Sequence, residues 1–277
     1  MKKILFPSLL ILAFLVSCKS TKPFDGTPGV SLVPESDEPY IAGGTIVCSL
    51  YSQDKSDSLE SSISYMFYDN ANLTYHDSVN KIIKEYVQGY TSFEEETTGE
   101  YSDLTDQFVL ESMVKFANEY NRQLESYDED DYTGGIWITE STVEVIDENP
   151  DYVEVSFGNW SYLGGAHGNN VTEQRIIEKK TGRELKLSDF FTDLVELSSI
   201  AEVIFRADQE IPVNVSTEDA GFWFENGLFH LNENFVFNGE SIDFLYNQYE
   251  IAPYAAGLIY LSIPMDKIQH LLKREVD

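Results

Sequence analysis

Apolar and polar residues begin to alternate at Thr45. Ile46, Cys48 and Leu50 fall on every second position, as do Ile63, Tyr65 and Phe67, which predicts two strands joined by a polar turn. The period then changes. Val79, Ile82, Ile83, Tyr86 and Val87 recur at helical spacing within 72–90, and Val109, Met113, Phe116, Ala117 and Tyr120 do so within 103–124. Asp103 and Asp106 suit the positive end of the second helix. Beyond the acidic run Asp128-Glu129-Asp130-Asp131 the alternation returns in 136–146 and 152–160, with 147–151 as the turn of a hairpin. Further strands are expected at 171–179, 184–187, 222–231, 235–237, 242–249 and 258–263. Helices are expected at 193–208, where Leu194, Leu197, Ile200, Ala201, Ile204 and Phe205 share one side, and at 264–276. Strands and helices come in blocks and not in strict alternation, so the fold class is α+β with mainly antiparallel sheets.

The ends of this pattern divide the chain. Met1-Lys2-Lys3 followed by a short apolar run reads as an export signal spanning 1–17, too short for a membrane span. Its Leu15-Val16-Ser17-Cys18 ending resembles a bacterial lipobox, which implies cleavage before Cys18 and acylation there. The rival reading is an ordinary signal with a chance cysteine. Residues 18–44, rich in Ser, Thr, Pro, Gly and acids, read as a flexible tether. A small α+β domain over 45–130 and a larger, β-rich one over 131–277 follow. With Cys18 acylated only Cys48 remains, so no internal disulfide is expected, and Cys48 reads as a small buried hydrophobe.

Charge narrows the partners. The chain carries 18 Lys+Arg against 48 Asp+Glu, and losing Lys2 and Lys3 with the signal takes the net charge from −30 to −32. Such a balance argues against nucleic acid and anionic lipid surfaces and favours cationic partners, although most of these charges read simply as a solvated surface. A calcium loop at 128–131 lacks the glycine and terminal glutamate of an EF-hand.

Two stretches fit neither period: Trp160 to Gly168, WSYLGGAHG, and Tyr249 to Gly257, YEIAPYAAG. Glycine serves where the backbone needs positive φ or close approach, so the first reads as a loop that holds a shape around His167. The candidate ligand-binding residues are Tyr162, Gly164, Gly165, His167, Gly168, Asn169, Tyr249, Glu250 and Tyr254. His167 can hold the loop closed through backbone hydrogen bonds, contact a ligand, or act in acid–base chemistry with Glu250. No GxSxG, HExxH, CxxC or GxxxxGK[ST] motif is present, and His76, His230 and His270 lack metal-ligand spacing. The expectation is therefore no catalytic set, no metal and no cofactor.

These stretches, with KKTGRELKLSDFF and FENGLFHL between them, resemble an extracytoplasmic domain pair of unassigned function. That family occurs in the lysozyme-sensing anti-sigma factor RsiV and ahead of the catalytic module of the peptidoglycan deacetylase PdaC. The resemblance runs from about 152 to 272 and more weakly over 45–124. It implies an α+β envelope module that binds a cationic lysozyme-like protein or peptidoglycan and leaves chemistry to other domains. The alternative is a hydrolase acting on cell-wall or other polysaccharide.

Overall fold

The computed structural model describes residues 17–21, 41–51, 58–68, 73–90, 106–126, 136–274 and 276. The expected signal apart from Ser17, most of the tether and the boundary at 130–131 lie outside the described residues. The fold is α+β, built on two sheets.

The larger sheet has seven strands in chain order: β1 (Ser17–Thr21), β2 (Ile41–Tyr51), β3 (Ser58–Tyr68), β4 (Ile136–Glu148), β5 (Tyr152–Tyr162), β6 (Asn169–Glu178) and β7 (Glu184–Leu185). Its neighbours are antiparallel except β3 and β4, which pair in parallel. A parallel pair needs a long crossover, and this one contains both helices predicted between the strands. They are α1 (Thr74–Tyr90) and α2 (Asp106–Ser126). Val79, Ile83 and Val87 of α1 and Val109 and Met113 of α2 are fully or almost fully buried, against Ile63, Tyr65, Val143, Val155 and Phe157 of the sheet. One face of the sheet is thus roofed by helices, and strands from both sides of the acidic run share one core.

The hairpin turn is fixed by Asn149, whose side chain accepts from the N–H groups of Asp151 and Tyr152. Cys48 is buried, as its place in the alternation required. It is half of a disulfide, however, and not the expected free thiol. The antiparallel register of β1 and β2 sets the backbone of Cys18 directly opposite Cys48.

The smaller sheet orders β10 (Ile259–Pro264), β9 (Ser241–Tyr246) and β8 (Phe235–Phe237), all antiparallel. It shares an aromatic core with α3 (Leu187–Phe190), α4 (Leu194–Asp208), Tyr152 and Ile176. Asp193 caps α4 by accepting from the N–H groups of Val195 and Glu196. Two expectations fail in this part. The stretch 222–231 forms turns with one 3₁₀ turn, Glu225–Gly227, because Asn226 and Gly227 both adopt positive φ. Its three phenylalanines, Phe222, Phe224 and Phe229, point inward at Phe205 without a ladder to join. The closing helix shrinks to α5 (Met265–Ile268) and a 3₁₀ turn, after which Leu272 bridges to Phe191.

The two sheets are joined by asparagines. Beyond the short β7 pairing, the outer edge of β6 would leave backbone groups open. Asn247 and Asn234 fill that edge like a substitute strand. Asn247 accepts from Thr172 N–H and donates to Thr172 C=O, and Asn234 accepts from Gln174 N–H and donates to the same carbonyl. Gln248 takes the N–H of Asn170.

Candidate functional site

The asparagine clamp brings the two glycine- and aromatic-rich loops to one place. β5 ends at Tyr162, and Gly164 and Gly165 carry the chain round with φ of 86° and 97°. A side chain at either would be strained, so the composition of this turn follows from its backbone. The Tyr162 hydroxyl donates to the Gly165 carbonyl at 3.1 Å. Gly168 lies against the Trp160 indole so closely that an added Cβ would sit 2.9 Å from the ring. The loop therefore folds back over Trp160, which remains 38% exposed. Asn169 opens β6 opposite Ser161.

The second loop rises from the end of β9. Tyr249 has φ 67°, a conformation that costs a non-glycine residue about 1 kcal/mol or more. Its neighbours hold it there. Glu250 accepts from Asn247 N–H at 2.7 Å with one oxygen and from the Asn232 amide at 2.7 Å with the other. Trp223, which the sequence did not bring forward, donates its indole N–H to the Tyr249 carbonyl at 3.4 Å and its backbone N–H to Ile251. Pro253 leads into a 3₁₀ turn, Tyr254–Ala256, closed by Gly257 at φ 72°.

Between the loops stands His167. Its ring stacks on Tyr254 with centroids 3.7 Å apart and planes at 21°. Nδ1 lies 2.9 Å from the Gly168 carbonyl, which can only accept, so Nδ1 carries a proton. In the neutral ring Nε2 then accepts from the Tyr249 hydroxyl at 3.2 Å. His167, Tyr249 and Tyr254 form one aromatic cluster at the surface, with His167 exposed, Tyr249 54% exposed and Tyr254 half-buried.

This geometry sorts the sequence candidates. Tyr162, Gly164, Gly165 and Gly168 shape the first loop, Glu250 braces the second, and His167, Tyr249 and Tyr254 form the face they present. Both Glu250 oxygens are engaged away from His167, one by the N–H of Asn247 and the other by the amide of Asn232, 18 residues back in the chain. The other histidines lie elsewhere, with His76 buried and stacked on Tyr68, His230 beside the Leu228 carbonyl and His270 beside Glu196.

The architecture is that of an α+β module carrying a loop-built aromatic face. Residues 188–266, from α3 into α5, match the model of a family described as "Protein of unknown function (DUF3298)". A crystal structure of a DUF3298 family member from Bacteroides fragilis superposes with a TM-score of 0.70 at 22% identity, covering 85% of this chain and 94% of that one. A second, from Pseudomonas aeruginosa, gives a TM-score of 0.53 at 15% identity, covering 95% and 94%. At these identities the likeness is one of fold. No curated protein matches the chain.

Proposed function

We infer that this chain is a non-catalytic binding protein of the bacterial envelope, held to a membrane by lipid on Cys18. It engages a cationic lysozyme-like protein or cell-wall glycan through the face formed by His167, Tyr249 and Tyr254. One observation carries the reading: Tyr249 is held at positive φ in solvent, its hydroxyl on His167, with the His167 ring on Tyr254. Strain of this kind persists where a surface must keep a set shape. The resemblance of both loops to the RsiV and PdaC modules and the chain's net charge of −30 agree with it. The engagement of both Glu250 oxygens by Asn232 and Asn247 argues against an acid–base pair of Glu250 with His167.

Tyr249→Gly separates site from scaffold. Glycine takes φ 67° without strain, so this variant removes the ring and hydroxyl at a cost below about 1 kcal/mol. Pull-down on lysozyme and on peptidoglycan should be lost in Tyr249→Gly and Tyr254→Ala, while an assay for glycan or ester hydrolysis stays blank for the wild type. Tyr254→Ala costing several kcal/mol with binding retained would make the loops scaffolding.

Lipidation has its own test. A thioether on Cys18 and a disulfide at Cys48 compete for the same sulfur, because the chain has two cysteines. An acyl-chain analogue should label the wild type and not Cys18→Ala, with one free thiol appearing at Cys48 in the labelled protein. An unlabelled wild type without a free thiol removes the anchor.

A further inference from the structure

The sheet face away from the helices is covered over only part of its area. At the far end of β5 and β6, Tyr152 and Ile176 on this face are buried in the core shared with the smaller sheet. From Ser156 onward most of the same face, Ser58 apart, is open to solvent or half-open across β2, β3, β4, β5 and β6.

The side chains here differ from those of an ordinary solvated sheet. The register lines up Thr45, Ser64, Thr142, Gly158 and Thr172 across five strands, a span of four strand spacings or roughly 19 Å. Thr45 and Ser64 hydroxyls lie 2.9 Å apart. At Gly158 the row dips, and an added Cβ would meet the Thr142 hydroxyl at 2.6 Å. Directly alongside, Glu140 pairs across the ladder with Trp160, the indole over which the His167 loop folds. The hydroxyl row is thus continuous, through Trp160, with the aromatic face of the loops. Charge on this face is mainly negative: Glu60, Glu140 and Glu144 are exposed on it, and the register of β1 places Lys19 opposite Val47 at its edge.

We propose that this open face is the bed of a neutral glycan strand, which runs along the hydroxyl row and reaches the loop cluster over Trp160. The inference rests on the binding reading above and selects its glycan arm. An exposed indole beside a carboxylate suits a sugar ring, whose C–H face stacks on the aromatic while its hydroxyls donate to the carboxylate. A line of small hydroxyls offers donors and acceptors to successive sugars, and the low centre at Gly158 leaves room for a ring. The carboxylates exclude anionic polymers, and the uncharged centre gives a cationic protein little to pair with.

Calorimetric titration of the full-length protein tests this, with a short and a long neutral N-acetylglucosamine oligomer, a polyanionic glycan and a basic lysozyme. The long oligomer should bind, the short one more weakly and the polyanion not at all. Thr142→Val and Glu140→Gln, both at exposed positions, should each weaken the long oligomer by about tenfold with unchanged unfolding midpoints, since each removes one polar contact made only with ligand. Oligomer binding that survives both substitutions and falls only in Tyr254→Ala would overturn the sheet-face site and leave the loops as the whole site. Lysozyme binding without oligomer binding would overturn the proposal while sparing the loop reading. If no probe binds, both fail.

Discussion

Replacing Glu154 with glutamine should stabilise the protein by about 2 to 3 kcal/mol at about pH 8 and by little near pH 4.5. Glu154 is 2% exposed, on β5 where that strand passes beneath the smaller sheet. Burial pushes its carboxyl up to about 7, the Phe237 N–H that it accepts at 3.3 Å pulls it partly back, and Asp147 adds to the rise. The sign follows from the raised value. Below the unfolded value of 4.5 the group is protonated in both states and costs nothing. As pH climbs from there through about 7 the unfolded chain releases a proton that the folded one retains, so stability is progressively lost. Glutamine keeps an acceptor for Phe237 and carries no charge to desolvate. Urea unfolding of both proteins across this range reads the difference directly. Parallel pH curves would mean that water or a moving backbone solvates the carboxylate.

The elements that the sequence displayed best are those buried on one face only. β2, β3, β4 and β5 alternate because helices cover one side, and α1 and α2 show their stripes because they lie on that side. Where burial comes from several directions the period carries less. Phe222, Phe224 and Phe229 all converge on Phe205 from an irregular segment, and a run of aromatics there looked like a strand. Positive φ at Asn226 settled the matter, and only Asn226-Gly227 hinted at it. The same logic holds at the loops. Glycines at 164, 165 and 168 and the lone histidine were visible as a shaped turn. That His167 stacks on Tyr254 while Tyr249 binds its other edge depends on the clamp of Asn234, Asn247 and Gln248 on β6, which is a matter of side chains finding a strand edge. Asparagines in LNENF and YNQYE read locally as turn formers. Trp223 was likewise hidden, since its role depends on a carbonyl 26 residues away. The parallel pairing of β3 and β4 leaves no local trace at all.

Lys179→Met should destabilise the protein by about 2 to 3 kcal/mol at neutral pH, with a pH trend opposite to that of Glu154. Lys179, at the end of β6, meets Glu148, at the end of β4, at 2.7 Å, where the two side chains are 19% and 22% exposed. The same carboxylate accepts from Tyr68 at 2.9 Å and Tyr75 at 3.3 Å, and the Lys179 ammonium lies 5.3 Å from the centre of the Tyr75 ring. Burial works to raise the Glu148 carboxyl, but hydrogen bonds from Lys179 and Tyr68, with Tyr75 behind them, outweigh it and hold the group below its ordinary value. Burial and Glu148 together push the Tyr75 phenol up to about 12, so both tyrosines remain donors at neutral pH. Methionine preserves much of the lysine stem and removes the charge, leaving a half-buried carboxylate with two phenols and no cation. A carboxyl with a depressed folded value contributes stability that is present above its unfolded value and lost as pH falls through the folded one. The gap between wild type and Lys179→Met should therefore be widest near neutrality and close in acid. Glu148→Gln in the Lys179→Met background should recover part of the loss, because it removes the uncompensated charge. A gap that stays constant from neutral pH into acid would show that Lys179 contributes packing over Tyr75 and not charge.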